Sequence, residues 1–210
     1  MPCRHQKGTF ASLDIPPRAT FRARRALAQS LLPGGIDDDS VCCNDWVSLE
    51  YAQARIADIE AIKQVKYRYL RAMDTKHWDD FAETMTEDIV GAYGSSLGKE
   101  LHFDNRKDLV EYLSSAMGPG VVTEHRVTHP EITVSGDTAS GIWYLQDRVI
   151  VAEFDFMLIG AAFYRDQYRR TSDGWRISAT GYDRTYEATM SVAGLNFNVK
   201  PGRARADLTG

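Results

Sequence analysis

The sequence predicts an α+β domain in which N-terminal helices pack on one face of a strongly curved, mostly antiparallel sheet. Two observations carry this. Apolar residues recur at three- and four-residue steps from Ile56 to Met73, the period of a helix with one buried face. Beyond residue 120 the pattern changes to β-branched runs separated by Gly- and Asp-containing turns, the signature of strands in a meander. A chain that gives helices first and strands afterwards segregates its helices to one side of the sheet. A curved sheet closed by helices at one end is a cone-shaped barrel with a cavity, a common place for a small-molecule site.

The elements follow in order. Ile56, Ile59, Ile62, Val65, Tyr69 and Met73 place one apolar stripe on a long helix, with Glu60, Lys63, Gln64 and Arg68 between them. A second helix is expected over His77–Met85, with Trp78, Phe81, Ala82 and Met85 inward and Asp74 or Thr75 as its cap. Ile89–Tyr93 and Leu101–Phe103 read as short strands joined by the turn Gly94–Gly98. Asn105 is a natural N-cap for a third helix over Lys107–Met117, which Gly118-Pro119-Gly120 ends. Val122–Val134 is a strand interrupted at Pro130, where a bulge or edge is expected. Long strands follow over Thr138–Ala152, Gly160–Thr171 and Trp175–Tyr186, turned at Ser135-Gly136-Asp137 and Asp173-Gly174.

The folded domain is therefore expected over 51–190, flanked by a basic extension, 1–50, and a peripheral tail, 191–210. In the extension, Arg4, Lys7, Arg18, Arg22, Arg24 and Arg25 face one acid, Asp14, before the run Asp37-Asp38-Asp39. A short basic helix over Thr20–Leu32 and a targeting presequence are one reading. A disordered extension is the plainer one, and composition favours it. The formal net charge of -4 gives no global reason to expect nucleic-acid binding. No apolar run approaches the roughly 20 residues of a membrane span. Cys3, Cys42 and Cys43 all precede the domain, so no disulfide framework holds it, which fits a reducing, cytoplasmic setting. The vicinal pair Cys42-Cys43 lacks the His or Cys spacing a metal site needs.

The candidates for chemistry are few. Asp74 lies near a helix C-terminus, where the macrodipole disfavours a carboxylate. It is a solvated acid, a cap, or one half of a buried pair. Tyr69 and Asp74 are about 140° apart around an ideal helix, so both serve one cavity only if the helix end enters its mouth. His125, Val127 and His129 would share one face of an alternating strand, which makes His125 a possible general base. His129 beside Pro130, and His77 and His102 in polar surroundings, are read as non-catalytic, since a base needs an orienting partner in reach. Among the aromatics, Tyr93, Trp143 and Phe163 are candidates for the pocket wall, although sheet packing accounts for most such residues. Arg184, placed on one strand face with Tyr182 and Tyr186, is either a substrate clamp or a surface ion-pair partner. No phosphate loop, dinucleotide fingerprint, nucleophile elbow or paired-histidine zinc helix occurs.

Several stretches, in order and at compatible spacing, together resemble a known family. They are Ile59-Glu60-Ala61-Ile62-Lys63, Tyr69–Asp74, Trp78-Asp79, His125 with Pro130-Glu131-Ile132-Thr133, and Trp143-Tyr144-Leu145 with Asp147-Arg148. Gly160-Ala161-Ala162-Phe163-Tyr164 and Gly181–Glu187 complete the set. From about Ile59 to Met190 the chain is similar to the SnoaL-like branch of the NTF2-like superfamily, nearest the bile-acid 7α-dehydratases and more distantly the scytalone dehydratases. The resemblance implies a cone-shaped α+β barrel, a homotrimer, no metal or organic cofactor, and a small apolar cyclic substrate. It puts a catalytic Asp–His pair on Asp74 and His125, supporting tyrosines on Tyr69 and Tyr93, and a pocket arginine on Arg184. The implied activity is a hydro-lyase acting on a hydroxylated steroid-like or polycyclic ketone. Isomerases, cyclases, dehydrochlorinases and non-catalytic binding proteins are the alternatives. The basic extension and the composition of Val151–Ile159 depart from the dehydratases, and Ala193–Phe197 resembles a dehydrochlorinase of the same superfamily.

Overall fold

The computed structural model describes residues 41–96 and 99–200. The expected features of the extension up to residue 40, the end of the Gly94–Gly98 turn and the end of the tail lie outside the described residues. The chain divides into two units, Met1–Val47 and Ser48–Gly210. The second holds the domain described below.

Helix α1 spans Val41–Thr75, α2 Trp78–Glu83 and α3 Arg106–Ala116. Seven strands follow the order β1 Met85–Ser96, β2 Lys99–Phe103, β3 Val122–Ser135, β4 Thr138–Val151, β5 Phe156–Thr171, β6 Gly174–Thr180 and β7 Tyr182–Met190. They form one curved, open sheet in the order β2-β1-β6-β5-β4-β3, with β7 beside β5. All pairings are antiparallel except β1 with β6. The predicted class, helices packed on a mostly antiparallel curved sheet, is the observed one.

The apolar stripe of α1 begins to bury at Ile59 and Ile62, and Ile56 stays 67% exposed. Ile62, Val65, Tyr69, Leu70 and Met73 pack with Trp143, Leu145, Ala162, Tyr164 and Tyr168 from the inner face of β4 and β5. Each fully buried side chain of this size contributes about 1.5–3 kcal/mol against exposure. Asn105 caps α3 as its sequence suggests, its Oδ1 accepting from Asp108 N at 2.8 Å. The expected cap of α2 is not made. His77 is its N-cap residue and has no side-chain cap bond, because Thr75 bonds back to Arg71 O at 2.8 Å and Asp74 is engaged elsewhere.

One expected bulge and two departures from the expected strands bear on the site. The register of β3 on β4 shifts between Thr128 and Glu131, with His129 at φ 50°. That bulge at Pro130 removes His129 from the face of His125 and leaves it exposed. The expected single strand Trp175–Tyr186 is two, broken at Gly181, where a Cβ would fall on the backbone carbonyl of Ala92. Finally, β7 bulges at Thr185, since Ala161 faces Tyr186 while Ala162 faces Arg184. Tyr186 is thereby turned outward, 50% exposed, and does not share a face with Tyr182 and Arg184 as strict alternation would require.

Candidate active site

The C-terminal turn of α1 brings Asp74 against β3. Asp74 Oδ1 lies 2.7 Å from His125 Nδ1, and Asp74 Oδ2 accepts from the His125 backbone N–H at 2.8 Å. Thr123, two residues earlier on the same strand face, donates its hydroxyl to Asp74 Oδ1 at 2.9 Å. Burial alone would raise the Asp74 carboxyl, but the hydrogen bonds from the His125 ring and backbone and from Thr123 hold it below the usual carboxylate range. An ionised carboxylate only accepts, so the proton of the neutral imidazole sits on Nδ1 and the Nε2 lone pair is the reactive one. Among the described residues no protein group bonds Nε2.

The two predicted tyrosines also meet. Tyr69, on the inner stripe of α1, and Tyr93, on β1, are both buried, with hydroxyls 3.0 Å apart. In that bond one hydroxyl donates to the other and one O–H hydrogen remains to be given away. Burial pushes both phenols up, so both stay protonated donors. The Tyr93 ring meets Tyr182 edge-on at 5.3 Å, and the Arg184 guanidinium lies 4.9 Å from the Tyr182 ring.

Arg184 is an ion-pair partner, but not a surface one. It donates to both carboxylate oxygens of Asp147, at 2.6 and 2.7 Å, and both side chains are nearly buried. Burial would lower its pKa, and the Asp147 carboxylate more than offsets that. The pair fits over the strand because Gly160 has no side chain, and a Cβ there would fall on Arg184 and Asp147. Asp147 is the register partner of His125. A circuit of neighbours, joined by strand register at His125–Asp147 and by side-chain contacts elsewhere, therefore runs Asp74, His125, Asp147, Arg184, Tyr182, Tyr93, Tyr69, and α1 links Tyr69 back to Asp74.

Two predicted pocket residues do not join this circuit. Phe163 points to the opposite face of β5, 39% exposed, with its ring 5.2 Å from Tyr144. Strand alternation puts it there, since Ala162 and Tyr164 point inward and are buried. Trp143 does point inward but is fully enclosed in the core, its indole N–H donating to Tyr168 OH at 3.0 Å. His77 and His102 pair with Asp80 and Asp104 near the surface, and His129 bonds its neighbour Thr128.

Sequence reasoning missed a second polar cluster. Lys66 and Asp166, both fully buried, lie 2.8 Å apart. Tyr168 and Thr180 each donate a hydroxyl to Asp166 at 2.8 Å, and the Lys66 ammonium sits 3.4 Å over the Tyr164 ring and 4.8 Å from that of Tyr69. The signal was available. Lys66 falls on the apolar stripe between Ile62 and Tyr69, and Asp166 on the inward series Ala162, Tyr164, Asp166, Tyr168. Among the described residues no group of three or more His, Cys, Asp or Glu is placed to hold a metal ion, and no helix is long and apolar enough to cross a membrane.

A curved, mostly antiparallel sheet backed by an N-terminal helix is an NTF2-like fold. Within that class the chain belongs to the SnoaL-like domain family, which matches residues 54–180. Among its relatives is the Mycobacterium tuberculosis uncharacterized protein Rv2910c. That protein is 30% identical over 125 residues, 59% of this chain and 83% of that one. Two solved structures share the fold. One is a hexachlorocyclohexane dehydrochlorinase, LinA type 2, with TM-score 0.59 and 19% identity over 70% of this chain and 95% of that one. The other is a Novosphingobium aromaticivorans protein provisionally named a scytalone dehydratase, with TM-score 0.59 and 17% identity over 73% and 99%.

Proposed function

We propose that this protein is a cofactor-independent hydro-lyase that dehydrates a hydroxylated steroid-like or polycyclic ketone. The observation that carries the reading is the Asp74–His125 contact of 2.7 Å. It leaves an oriented imidazole with a basic Nε2. In the proposed reaction Nε2 takes a proton from a carbon made acidic by the substrate carbonyl or enone. Asp74 holds the tautomer and stabilises the imidazolium that forms. The spare O–H of the Tyr69–Tyr93 pair donates to the enolate oxygen, as an oxyanion hole does. The C–O bond to the leaving hydroxyl then breaks, and the proton held on His125 goes to that oxygen. The products are water and an unsaturated ketone.

Resemblance to the bile-acid 7α-dehydratases and the family membership support this reading, as do a dehydrochlorinase and a scytalone dehydratase-like protein among the structural neighbours. An isomerase or a dehydrochlorinase would use the same pair, and the product separates them. The same resemblance carries a homotrimer, which light scattering on the purified chain measures. The deciding experiment incubates the protein with hydroxysteroid and hydroxynaphthalenone panels and follows the product by mass. Loss of 18 Da, about the mass of water, is expected with wild type and not with His125→Ala. Conversion of no panel member, or equal conversion by His125→Ala, would overturn the reading.

A further inference from the structure

Helix α1 ends in a way that its sequence makes costly. His77 N bonds Ala72 O at 2.9 Å and Lys76 N bonds Met73 O at 3.3 Å, the paired bonds of a Schellman stop with Lys76 at the left-handed position. Lys76 has φ 63°, where glycine is the favoured residue and a side chain brings strain. The Lys76 side chain is nonetheless put to use. Its Nζ lies 2.8 Å from Thr123 Oγ1, the same hydroxyl that reaches Asp74 Oδ1.

The direction of this chain is fixed by chemistry. An ammonium only donates, so Thr123 Oγ1 accepts from Lys76 and must spend its single hydrogen on Asp74. Asp74 Oδ1 therefore receives hydrogens from both Thr123 and His125, and Oδ2 receives the His125 N–H. A proton on Oδ1 would oppose the Thr123 hydroxyl. The relay also sets a cation one hydroxyl away from a carboxylate that both burial and the helix C-terminus disfavour. Burial lowers the Lys76 pKa, and the Asp74 charge raises it in return.

We propose that Lys76 and Thr123 are positioning residues for the Asp74–His125 pair. Together they form a Lys76–Thr123–Asp74 relay that fixes the rotation and charge of the carboxylate presented to the imidazole. This goes beyond the hydro-lyase reading, and its catalytic consequence rests on that reading, while its structural consequence does not. The charged groups around the pair are Asp74 and Lys76 from α1, His125 from β3 and Asp147 from β4, with Arg184 of β7 held between Asp147 and Glu187.

The test uses the full chain and the variants Lys76→Met, Lys76→Arg, Lys76→Gly, Thr123→Val and Thr123→Ser. The first readout needs no substrate and is the NMR titration of the His125 ring. Removing the cation, or the hydroxyl that links it to the carboxylate, leaves the Asp74 charge less compensated, so the protonated imidazole gains and the His125 midpoint moves to higher pH in Lys76→Met and Thr123→Val. Lys76→Arg and Thr123→Ser keep the wild-type midpoint. Lys76→Gly separates this role from a purely structural one. It relieves the left-handed strain, so its thermal midpoint equals or exceeds wild type, while its His125 titration follows Lys76→Met. On a substrate found by the panels above, kcat falls about tenfold, or about 1.4 kcal/mol, with KM little changed. The double variant Lys76→Met/Thr123→Val falls no further than either single one. An unmoved His125 midpoint in Lys76→Met, or losses that multiply in the double variant, overturns the relay. An absence of turnover in every protein leaves the NMR result to decide it and counts only against the hydro-lyase reading.

Discussion

Two of the charged contacts that helix α1 makes to the sheet are built alike but placed differently. Asp166 is ion-paired with Lys66 at 2.8 Å and accepts two hydroxyls, from Tyr168 and Thr180. Asp74 receives the His125 ring, the His125 backbone N–H and the Thr123 hydroxyl. The side chains of the first pair are both 0% exposed, whereas Asp74 is 23% and His125 9% exposed. The partners differ too. A lysine sealed among aromatic rings has nowhere to pass a proton, while an imidazole bonded at one nitrogen keeps the other for exchange. One arrangement of carboxylate and donors thus serves two ends. In the core it ties α1 to β5 one turn before Tyr69, and at the helix end it prepares a base.

The two clusters diverge most sharply when the dyad is cut. His125→Ala and Asp74→Asn are each expected to lower turnover by roughly 10²–10⁴-fold, with circular dichroism unchanged and only a modest loss of stability. Neither variant strands a fully buried charge, because Asp74→Asn removes the carboxylate, and His125→Ala leaves a 23% exposed Asp74 that still accepts from the Thr123 hydroxyl and the residue-125 backbone N–H. Lys66→Met behaves oppositely. It leaves Asp166 charged and unpaired in the core, which costs about 3–5 kcal/mol in urea unfolding. Adding Asp166→Asn should recover more than half of that loss, since the amide still accepts from Tyr168 and Thr180 without a charge. A Lys66→Met protein as stable as wild type would mean that the core pair is not a tether.

The tyrosines lie between the two clusters and sharpen the contrast. The Tyr69 ring leans on the Lys66 side while its hydroxyl meets Tyr93. Tyr69→Phe removes a donor from the proposed oxyanion contact and should lower kcat about 10²-fold, at a cost of only about 1 kcal/mol in stability for the lost hydrogen bond. Steady-state kinetics beside a melting curve reads both numbers. A large stability loss with unchanged kcat would assign Tyr69 to the core cluster instead.

Much of this was legible from residues alone, and the failures have physical causes. Helix periodicity, the Asn105 cap and the Gly136 and Gly174 turns rest on local chemistry, and they appear where the sequence puts them. Pro130 announced its bulge, because a residue without an N–H cannot hold a central ladder position. The break at Gly181 was hidden, since only the approach of Ala92 from a distant strand requires it. The bulge at Thr185 was hidden too, and it inverted the expected direction of Tyr186. Phe163 was misplaced by reading aromatic density without strand parity, which the neighbouring Ala162 and Tyr164 would have supplied. The contact of Asp74 with His125 came from resemblance. Spacing left Asp74 as an awkward acid, and nothing local says that a residue so far along the chain will meet it. Lys66 is the instructive omission, because a lysine on the buried stripe of a helix calls for an acid on a facing strand.

The smallest expected effect separates the clusters by acid titration. The Asp74 carboxyl is held below its ordinary value of 3.8, chiefly by His125 against the cost of burial. Between the folded value and the ordinary one, the unfolded chain binds more protons than the native protein, so stability rises with pH across that window. The contribution of Asp74 is therefore fully present above the ordinary value and is lost as pH falls through the lower, folded one. Asp74→Asn removes the titrating group. The stability gap between wild type and this variant should narrow as acid is added. Urea midpoints measured in steps from about pH 5 to about pH 2 give the curve. The gap for Lys66→Met should also narrow in acid, but there by protonation of the core carboxylate left without its lysine, and adding Asp166→Asn removes that dependence. Parallel wild-type and Asp74→Asn curves down to the lowest pH would show that the folded and unfolded chains ionise Asp74 alike. The hydrogen bonds at the helix end would then not be holding its charge.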